Sequence, residues 1–450
     1  MKSKWSIKRL CEVAEIQMGQ SPKGSSYNIS GEGVPLINGP VEFGETPFSR
    51  TKRTKFTTEP TKMCRAGDLI LCVRGSTTGR MNIAGYDSCI GRGVASIRSE
   101  KYQDWINFFI HVNRETIYCL GSGATFPNVS ASMLAKLEIP IPPESEQKRI
   151  VAIMDEAFEG IDRAIANTEK NLANSRELFG NILNLAIQGK ITSQNPNDDS
   201  VLDLMHQIRE KRTVAIKEKK LRISKNKSID GTNVKPFEIP DSWRWVPLED
   251  LAIGITDGVH QKPEYVSEGI PFVTVKNLTA GTGISFENLN YITRQDHEEF
   301  IKRAYPERGD ILISKDGTIG VVRIIDTDIE FSIFVSVALV KPALCEINRY
   351  LALALEASVV QSQIIPKGTA LKHLYLIDLR QLAIPLPPLA EQKRIVEKLN
   401  ILSIQTQRLE TIYRQKIAAL NELKQSILQK AFTGELTADT PKTVKEEIAA

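Results

Sequence analysis

The residue types that perform catalysis occur in this sequence, but not at the spacings that catalysis requires. Gly189 and Lys190 come nearest to a phosphate-binding GxxxxGK loop, yet Asn184 stands where that loop needs its first glycine. No GxGxxG segment follows a predicted strand, and the five histidines form no HxxxH or HExxH pair. The sequence therefore predicts neither nucleotide hydrolysis, nor a dinucleotide site, nor a metal centre.

Four cations lie within six residues of the first domain, a pattern that can grip phosphates. They are flanked by phenylalanines and are Arg50, Lys52, Arg53 and Lys55. A loop or strand edge of this composition suits contacts to a DNA backbone. An ordinary solvated basic turn explains the same residues, so both interpretations stay open.

Two polar loops follow predicted strands at equivalent places in the two halves of the chain. Their polar members are Arg74, Ser76, Thr77 and Arg80 in the first loop, and Lys315, Asp316 and Thr318 in the second. Arg and Lys donate to guanine edges, Asp accepts from cytosine, and Ser or Thr adapts to either. These loops are candidate base readers, although tight hairpins between core strands have the same composition.

A third pair of Gly-containing segments lies at 121–125 and 367–370. It adds the candidates Lys367, Thr369 and Lys372. These segments could face DNA or serve only as turns.

The candidate loops belong to an internal repeat, which indicates a duplicated architecture. Residues 137–151 (LEIPIPPESEQKRIV) and 382–396 (LAIPLPPLAEQKRIV) are identical at eleven of fifteen positions, at an offset of 245. A looser match relates Trp5 to Trp243. Each half has short β-rich runs broken by Gly and Pro, followed by a helical pattern. We therefore expect an α+β fold in two similar halves.

Each helical pattern begins after a Pro-Pro pair and repeats every three or four residues, which is typical of a coiled coil. The repeating positions are Ile150, Met154, Ala157, Ile161, Ala164 and Thr168 in the first half, and Ile395, Leu399, Leu402, Thr406, Leu409 and Tyr413 in the second. The register then slips by one position, as a stutter does. Helices of about 42 residues are roughly 60 Å long, so we expect the two helices to pack on each other.

These patterns divide the chain into six segments. They are a first globular domain (1–143), a first long helix (144–191), a linker with a short basic amphipathic helix (192–240), a second globular domain (241–388), a second long helix (389–436) and a loose tail (437–450). Gly189 and Gly434 are the expected C-caps of the long helices.

The composition is that of an average soluble globular protein, with 41% hydrophobic and 25% charged residues over 450 positions. The net charge of +4 does not indicate a polyanion partner, so any DNA contact must come from local patches. Six cysteines without a CxxC pair predict reduced, buried packing residues. No apolar stretch reaches the ~18 residues of a membrane span, and we expect an intracellular protein.

The layout from Trp5 to Leu436 resembles the specificity subunit of type I restriction-modification systems. The resemblance is carried by the two IP[IL]PP..EQKRIV boxes, by the long helices ending ILNLAIQGKI and ILQKAFTGEL, by the segment PFEIPDSWRWVPLEDLA from Pro236, and by the GDLI and GDIL strands. The duplicated box with its helix is a specific signal, whereas the globular parts match only in their pattern of short β-rich runs broken by Gly and Pro.

The resemblance implies two target recognition domains, each reading one half of a split double-stranded DNA sequence. Two long antiparallel coiled-coil helices would separate them, with approximate two-fold symmetry. The helices would dock two methyltransferase subunits, and restriction subunits would join through the complex. Residues expected to dock partners or to pack the helices are Glu146, Gln147, Arg149, Ile150, Met154, Ile161, Glu391, Gln392, Arg394, Ile395, Leu399 and Leu409.

The resemblance also implies that this chain is non-catalytic and binds no cofactor. Adenosylmethionine, ATP and Mg²⁺ would belong to the partner subunits, which would flip out and methylate an adenine in each half-site. A prokaryotic, cytoplasmic and nucleoid-associated location follows from that role. Recognition domains diverge freely, so the base-contacting candidates rest on local chemistry alone.

Two alternatives remain at this stage. A single-chain restriction enzyme or methyltransferase needs a catalytic motif, and the IPIPP and IPLPP segments lack the Asn and the aromatic residue of amino-methyltransferases. A coiled-coil scaffold could instead join two ligand-binding domains without DNA recognition. Salt dependence separates the two cases, since DNA binding through several Lys and Arg weakens steeply with salt.

Overall fold

The computed structural model describes residues 5–121, 127–218, 235–365 and 373–437. They form two compact units, one made of residues 1–169 with 414–450 and the other of residues 170–413. The expected α+β class is confirmed. The units do not follow the linear division of the sequence, because each contains part of both long helices.

Unit 1 contains eleven strands and four short α-helices among its described residues. The strands are β1 (Ser6–Arg9), β2 (Glu15–Met18), β3 (Tyr27–Asn28), β4 (Val34–Ile37), β5 (Phe56–Thr57), β6 (Met63–Cys64), β7 (Leu69–Cys72), β8 (Met81–Ile83), β9 (Ser88–Ile90), β10 (Val94–Arg98) and β11 (Glu138–Ile141). The short helices are α1 (Leu10–Val13), α2 (Gln103–Val112), α3 (Arg114–Leu120) and α4 (Ala131–Ala135).

The long helix α5 (Glu144–Ile187) begins in unit 1 and ends in unit 2, where α6 (Val201–Lys217) follows. The strands of unit 2 are β12 (Arg244–Pro247), β13 (Ala252–Asp257), β14 (Ile270–Val273), β15 (Asn290–Ile292), β16 (Ile311–Ser314), β17 (Val322–Ile324), β18 (Ser332–Ile333), β19 (Val337–Pro342) and β20 (Ala383–Leu386). Its other helices are α7 (Leu248–Leu251), α8 (Val275–Thr279), α9 (Arg294–Phe300), α10 (Asn348–Glu356), α11 (Ser358–Gln361), α12 (Leu376–Arg380) and the start of α13 (Leu389–Thr433).

The two halves share one sheet topology. The central sheet has the order β2-β10-β7-β8 in unit 1 and β13-β19-β16-β17 in unit 2, antiparallel throughout. A β1-β11 ladder corresponds to β12-β20, and a parallel pair, β4-β9, corresponds to β14-β18. The repeat in the sequence is thus a repeat in the fold.

Strand β7 is apolar at every position because both faces of the sheet are covered. In β7, Leu69 and Leu71 pack into one core, while Ile70 and Cys72 pack into another. Successive side chains of a strand point to opposite faces, so an unbroken apolar run is what a strand between two cores requires.

The prolines of the two boxes are tied to the cores by matching hydrogen bonds. Trp105 Nε1 donates to the Pro140 carbonyl at 2.8 Å, and Tyr350 Oη donates to the Pro385 carbonyl at 2.7 Å. Both aromatic side chains are fully buried. The offset of 245 residues therefore relates tertiary contacts as well as sequence.

The long helices pack on each other inside each unit. In unit 1, Ile150 and Met154 of α5 share a core with Leu428 and Ala431 of α13. In unit 2, Leu183 and Ala186 of α5 share a core with Ile395 and Leu399 of α13. The helices are antiparallel, because the start of each one meets the end of the other.

One residue that was predicted to lie between the two long helices does not do so. Leu409 is 44% exposed, and its place between the helices is taken by Glu410, whose carboxylate lies 3.1 Å from Arg176 Nη2. The slip in register therefore comes before Tyr413 rather than after it. The assignment of Leu409 to helix packing is wrong, while Ile161, at 7% exposure, is buried as predicted.

Both long helices end as expected, with a glycine in the left-handed region. Gly189 has φ 72° and Gly434 has φ 75°. Each glycine lies against a tryptophan: a Cβ at Gly189 would come within 3.2 Å of Trp243, and one at Gly434 within 3.1 Å of Trp5. These close approaches, together with the positive φ, explain why glycine ends both helices.

Candidate nucleic-acid interface

Three loops of unit 1 meet at one end of its central sheet, which we call the first sheet end (residues 19–21, 74–80 and 91–93). Gly19 N donates to the Val94 carbonyl at 2.9 Å, and Val73 N donates to the Gly93 carbonyl at 3.0 Å. Gly75 N donates to the Pro127 carbonyl, which fixes the 74–80 loop from the other side. The strands thus hold the loops, whose side chains are free to point outward.

The predicted polar residues of this loop lie at the surface. Arg74, Ser76 and Arg80 are exposed and Thr77 is half-buried. Neither arginine has a carboxylate within ion-pair distance among the described residues. The loop can therefore offer two open guanidinium groups to an anionic ligand.

Two more arginines belong to the same surface and were missed in the sequence. Arg92 lies in the Gly-Arg-Gly segment before β10, and Arg114 begins α3 beside the loop, because a Cβ at Gly79 would lie 2.9 Å from Arg114 Cγ. Both side chains are exposed. The glycines on either side of Arg92 were a usable signal, whereas the position of Arg114 depends on tertiary packing.

The basic segment at 50–55 lies along the edge of the same sheet. Arg50 pairs with Ile83 of the edge strand β8 in a parallel bridge. The Arg53 guanidinium lies 4.3 Å from the centre of the Tyr86 ring, and Lys55 Nζ lies 4.8 Å from that of Tyr27. Arg50, Lys52 and Arg53 are exposed and Lys55 is half-buried. A role in DNA contact stays a prediction.

The second sheet end, the equivalent surface of unit 2 (residues 257–260, 315–320, 334–336 and 373), is built differently. Lys315 N donates to the Ser336 carbonyl and Leu374 N donates to the Lys315 carbonyl, which is the pattern that Val73 has in unit 1. Asp316 pairs with His373 as Arg74 pairs with Asn128. The structural equivalent of Arg74 is therefore Asp316, and not Lys315.

Lys315 is consequently not an exposed base-reading group, and that prediction is wrong. Its side chain is 12% exposed, and its ammonium lies 3.1 Å from the buried Asp257 carboxylate. Arg303 also donates to this carboxylate. Burial alone raises the pKa of Asp257, but the hydrogen bonds from Arg303 and Lys315 outweigh it, so the pKa lies below its ordinary value.

The remaining candidate residues of the second half are partly covered, exposed or outside the described residues. Asp316 Oδ1 lies 2.6 Å from His373 Nδ1 and is mostly covered, while Thr318 is exposed. Lys367, Thr369 and Lys372 lie outside the described residues. Their predicted roles stay predictions.

The glutamates of the two EQKRIV boxes are engaged within the chain, where Glu391 is buried and Glu146 half-buried, and a docking role for them stays a prediction. Trp243 Nε1, Thr192 Oγ1 and Gln194 Nε2 all donate to Glu391, at 2.9, 2.7 and 2.8 Å. Trp5 Nε1 donates to Glu146 at 3.2 Å, and Thr437 Oγ1 donates to it at 3.0 Å. The same Trp-to-Glu bond thus anchors the start of each long helix.

The next residues of the boxes are also engaged within the chain. Gln147 and Gln392 are buried, and Gln392 Nε2 donates to the Pro387 carbonyl at 2.9 Å. Arg394 forms two bonds to Asp198, at 3.0 and 2.6 Å, and this guanidinium lowers the pKa of Asp198. Arg149 is exposed. Of these four residues, Arg149 is the one that is exposed, and a docking role for it stays a prediction.

The six cysteines differ in exposure. Cys64, Cys72 and Cys89 are buried, and burial raises the pKa of Cys64 and Cys72 to about 12. Cys11, Cys119 and Cys345 are exposed, so their assignment as buried packing residues is wrong. In the described ranges, no three His, Cys, Asp or Glu side chains form a metal-ligand group, and no helix has the length and hydropathy of a membrane span.

The fold and these surfaces define a class of protein: a duplicated chain that presents polar loops at one end of each of two equivalent sheets, with long helices joined to both. The family model for the type I restriction modification DNA specificity domain matches residues 2–173 and 240–420. The chain belongs to this family. It is a DNA-recognition subunit, and the scaffold alternative without DNA recognition is not supported.

Individual relatives agree with this assignment. The chain is 26% identical over 446 residues to the type I restriction enzyme EcoBI specificity subunit of Escherichia coli, covering 96% of this chain and 86% of that protein. It is 35% identical over 180 residues to the putative type I restriction enzyme MjaX specificity subunit of Methanocaldococcus jannaschii, covering 39% of this chain and 40% of that protein.

Solved structures share the fold. A chain from a type I R-M system, studied for complex assembly and conformational transition, has a TM-score of 0.69 at 20% identity, covering 96% of this chain and 98% of that one. The HsdS subunit from Thermoanaerobacter tengcongensis has a TM-score of 0.50 at 20% identity, covering 96% and 97%.

Proposed function

We propose that this chain supplies the DNA address of a type I restriction-modification complex and performs no chemistry itself. Each half contributes one recognition domain, so the target has two specified blocks around a fixed gap. The observation that carries the proposal is the recurrence of one loop-bearing sheet end in both halves. Phosphate contacts would fix the register and loop side chains would read bases.

The proposed partners are two methyltransferase subunits, with restriction subunits joining through them. The methyltransferases would bind adenosylmethionine and methylate one adenine in each half-site, and the restriction subunits would use ATP and Mg²⁺. Because the two halves present equivalent helix starts, two copies of one partner can dock in equivalent ways. The exposed members of the helix starts, Lys148, Arg149 and Lys393, suit this contact. Such a complex works on chromosomal DNA, which implies a cytoplasmic location.

The direct test is a genome-wide map of N6-methyladenine in the source cell, with and without this gene. We expect methylation to disappear at one split motif in the deletion strain and to return with a plasmid copy. An unchanged map in cells where the chain co-purifies with a methyltransferase would contradict the proposal.

A variant connects the proposal to the first sheet end. Arg74→Ala should relax or abolish the reading of one block of the motif and leave the other block unchanged, because the Arg74 side chain is exposed and has no carboxylate partner among the described residues. Arg65→Ala is the matched control, since Arg65 is an exposed arginine at the opposite end of β7. If Arg74→Ala and the parent methylate the same motif, this loop does not read bases.

A further inference from the structure

The two recognition domains carry opposite charge. Residues 1–143 contain 18 Lys and Arg against 12 Asp and Glu, a net +6, while residues 241–388 contain 14 against 19, a net −5. The near-neutral total of the chain conceals this difference. A polyanion such as DNA therefore meets two domains with very different fields.

The first sheet end concentrates the positive charge of its domain in open side chains. Arg74, Arg80, Arg92 and Arg114 are all exposed, and none has a carboxylate within ion-pair distance among the described residues. The backbone bonds that join the 74–80 and 91–93 loops, and the contact of Gly79 with Arg114, place these four arginines around one loop cluster.

The second domain neutralises part of its positive charge internally. Six of its described cations hold carboxylate partners: Arg294 with Glu330, Lys302 with Glu299, Arg303 and Lys315 with Asp257, Arg308 with Asp328, and Lys341 with Asp310. At the second sheet end itself, one buried carboxylate binds both Arg303 and Lys315. A cation that already has an anionic partner releases few counterions from DNA.

We propose that the two domains bind their half-sites through different interactions. The first sheet end provides most of the electrostatic, sequence-independent binding to DNA phosphates. The second domain recognises its half-site with little net neutralisation of phosphates. This inference rests on the proposed function. It assigns Arg80, Arg92 and Arg114 to phosphate contact and leaves Arg74 as the candidate base reader. The second domain then depends on the first for its local concentration on DNA.

The test is the salt dependence of binding by the full chain, purified with its methyltransferase partners, to a duplex that carries the mapped motif. The slope of log K against log [NaCl] is measured for Arg80→Gln, Arg92→Gln and Arg114→Gln. Each variant that loses a phosphate contact should lower the slope by about 0.9 and weaken specific and nonspecific duplexes alike. Arg65→Gln, at the opposite end of the sheet, is the charge-matched control and should leave the slope unchanged.

The second domain supplies the comparison. Lys262→Gln and Lys276→Gln remove exposed cations that have no carboxylate partner among the described residues, and each should change the slope by less than about 0.3. If sequence-specific binding persists, two results would overturn the inference: equal slope losses in both domains, or unchanged slopes for all three arginine variants. Absence of sequence-specific binding by the parent complex would overturn the proposed function as well.

Discussion

At the level of single residues, the pair Asp257 and Lys315 shows how one position can hold different chemistry in two copies of a fold. In unit 1 the equivalent positions are occupied by Met18 and Val73, since Met18 faces Ala95 as Asp257 faces Ala338. A buried ion pair contributes little net stability compared with an apolar pair, but breaking it leaves an uncompensated charge. The pair is therefore expected to behave as a unit.

The corresponding prediction is a double-mutant cycle. Lys315→Val alone should lower the free energy of unfolding by about 3 kcal/mol, because Asp257 then keeps only Arg303 as a charged donor. The double variant Asp257→Met/Lys315→Val should come within about 1 kcal/mol of the parent, because it restores the apolar pair of unit 1. Urea unfolding at neutral pH measures both. Additive losses in the double variant would show that the two charges are not coupled.

A second residue, His111, should make unit 1 sensitive to acid. Burial, with Lys424 and Arg114 nearby, lowers the pKa of His111 from 6.5 to about 4. The folded protein therefore resists a proton that the unfolded chain accepts below pH 6.5, so stability falls as the pH drops from 6.5 towards 4. The loss should reach roughly 3 kcal/mol at pH 4.

Urea unfolding of the parent and of His111→Gln between pH 7 and pH 4.5 tests this expectation. The variant should lose less stability across the interval, whatever its stability at pH 7. Parallel pH profiles for the two proteins would mean that His111 does not carry the acid sensitivity.

At the level of elements, two leucines of the second long helix should differ in how much they contribute to stability, because only one of them packs against the first long helix. Leu399→Ala should lower the free energy of unfolding by about 2 to 4 kcal/mol, because Leu399 is 1% exposed in the core of unit 2. Leu409→Ala should cost less than about 0.5 kcal/mol, because its side chain is 44% exposed. Thermal unfolding of the two variants compares them directly, and similar losses would restore Leu409 to the seam.

The same helices show what sequence spacing can and cannot predict. A period near 3.5 identifies Ile150, Met154, Ile395 and Leu399 as seam residues, because apolar positions on one helix face must be covered. The place of the stutter is not encoded in one helix alone. Leu409 and Glu410 both fit the local spacing. Glu410 is the residue that faces the other helix, where it pairs with Arg176.

The sheet-end loops set a similar limit. The GDLI and GDIL strands and the polar loops after them are recognisable from the sequence. Their residue-by-residue equivalence is recognisable too, because a constant offset of 242 from Gly67 to Gly75 places Lys315 opposite Val73 and Asp316 opposite Arg74. The buried partner Asp257 comes from a distant strand, so only the folded structure reveals that Lys315 is occupied.

For the whole molecule, the repeat predicts two equivalent halves but not the division into compact units. Each long helix is longer than the domain it follows can cover, so its two ends pack into different units. Unit 1 thus needs residues from both ends of the chain, whereas unit 2 is continuous from 170 to 413. The folding of separate fragments should reflect this difference.

We expect a fragment of residues 170–413 to fold cooperatively and a fragment of residues 1–169 not to do so. The shorter fragment lacks Leu428, Ala431 and Phe432, and the ring of Phe432 lies 4.6 Å from that of Trp105 in the core. Losing these apolar contacts costs about 5 kcal/mol, which is comparable with the whole stability of a domain. A peptide of residues 414–437 should restore cooperative unfolding to fragment 1–169, and the same peptide with Leu428→Asp should not. Cooperative unfolding of fragment 1–169 without the peptide would show that the first domain folds without the second long helix.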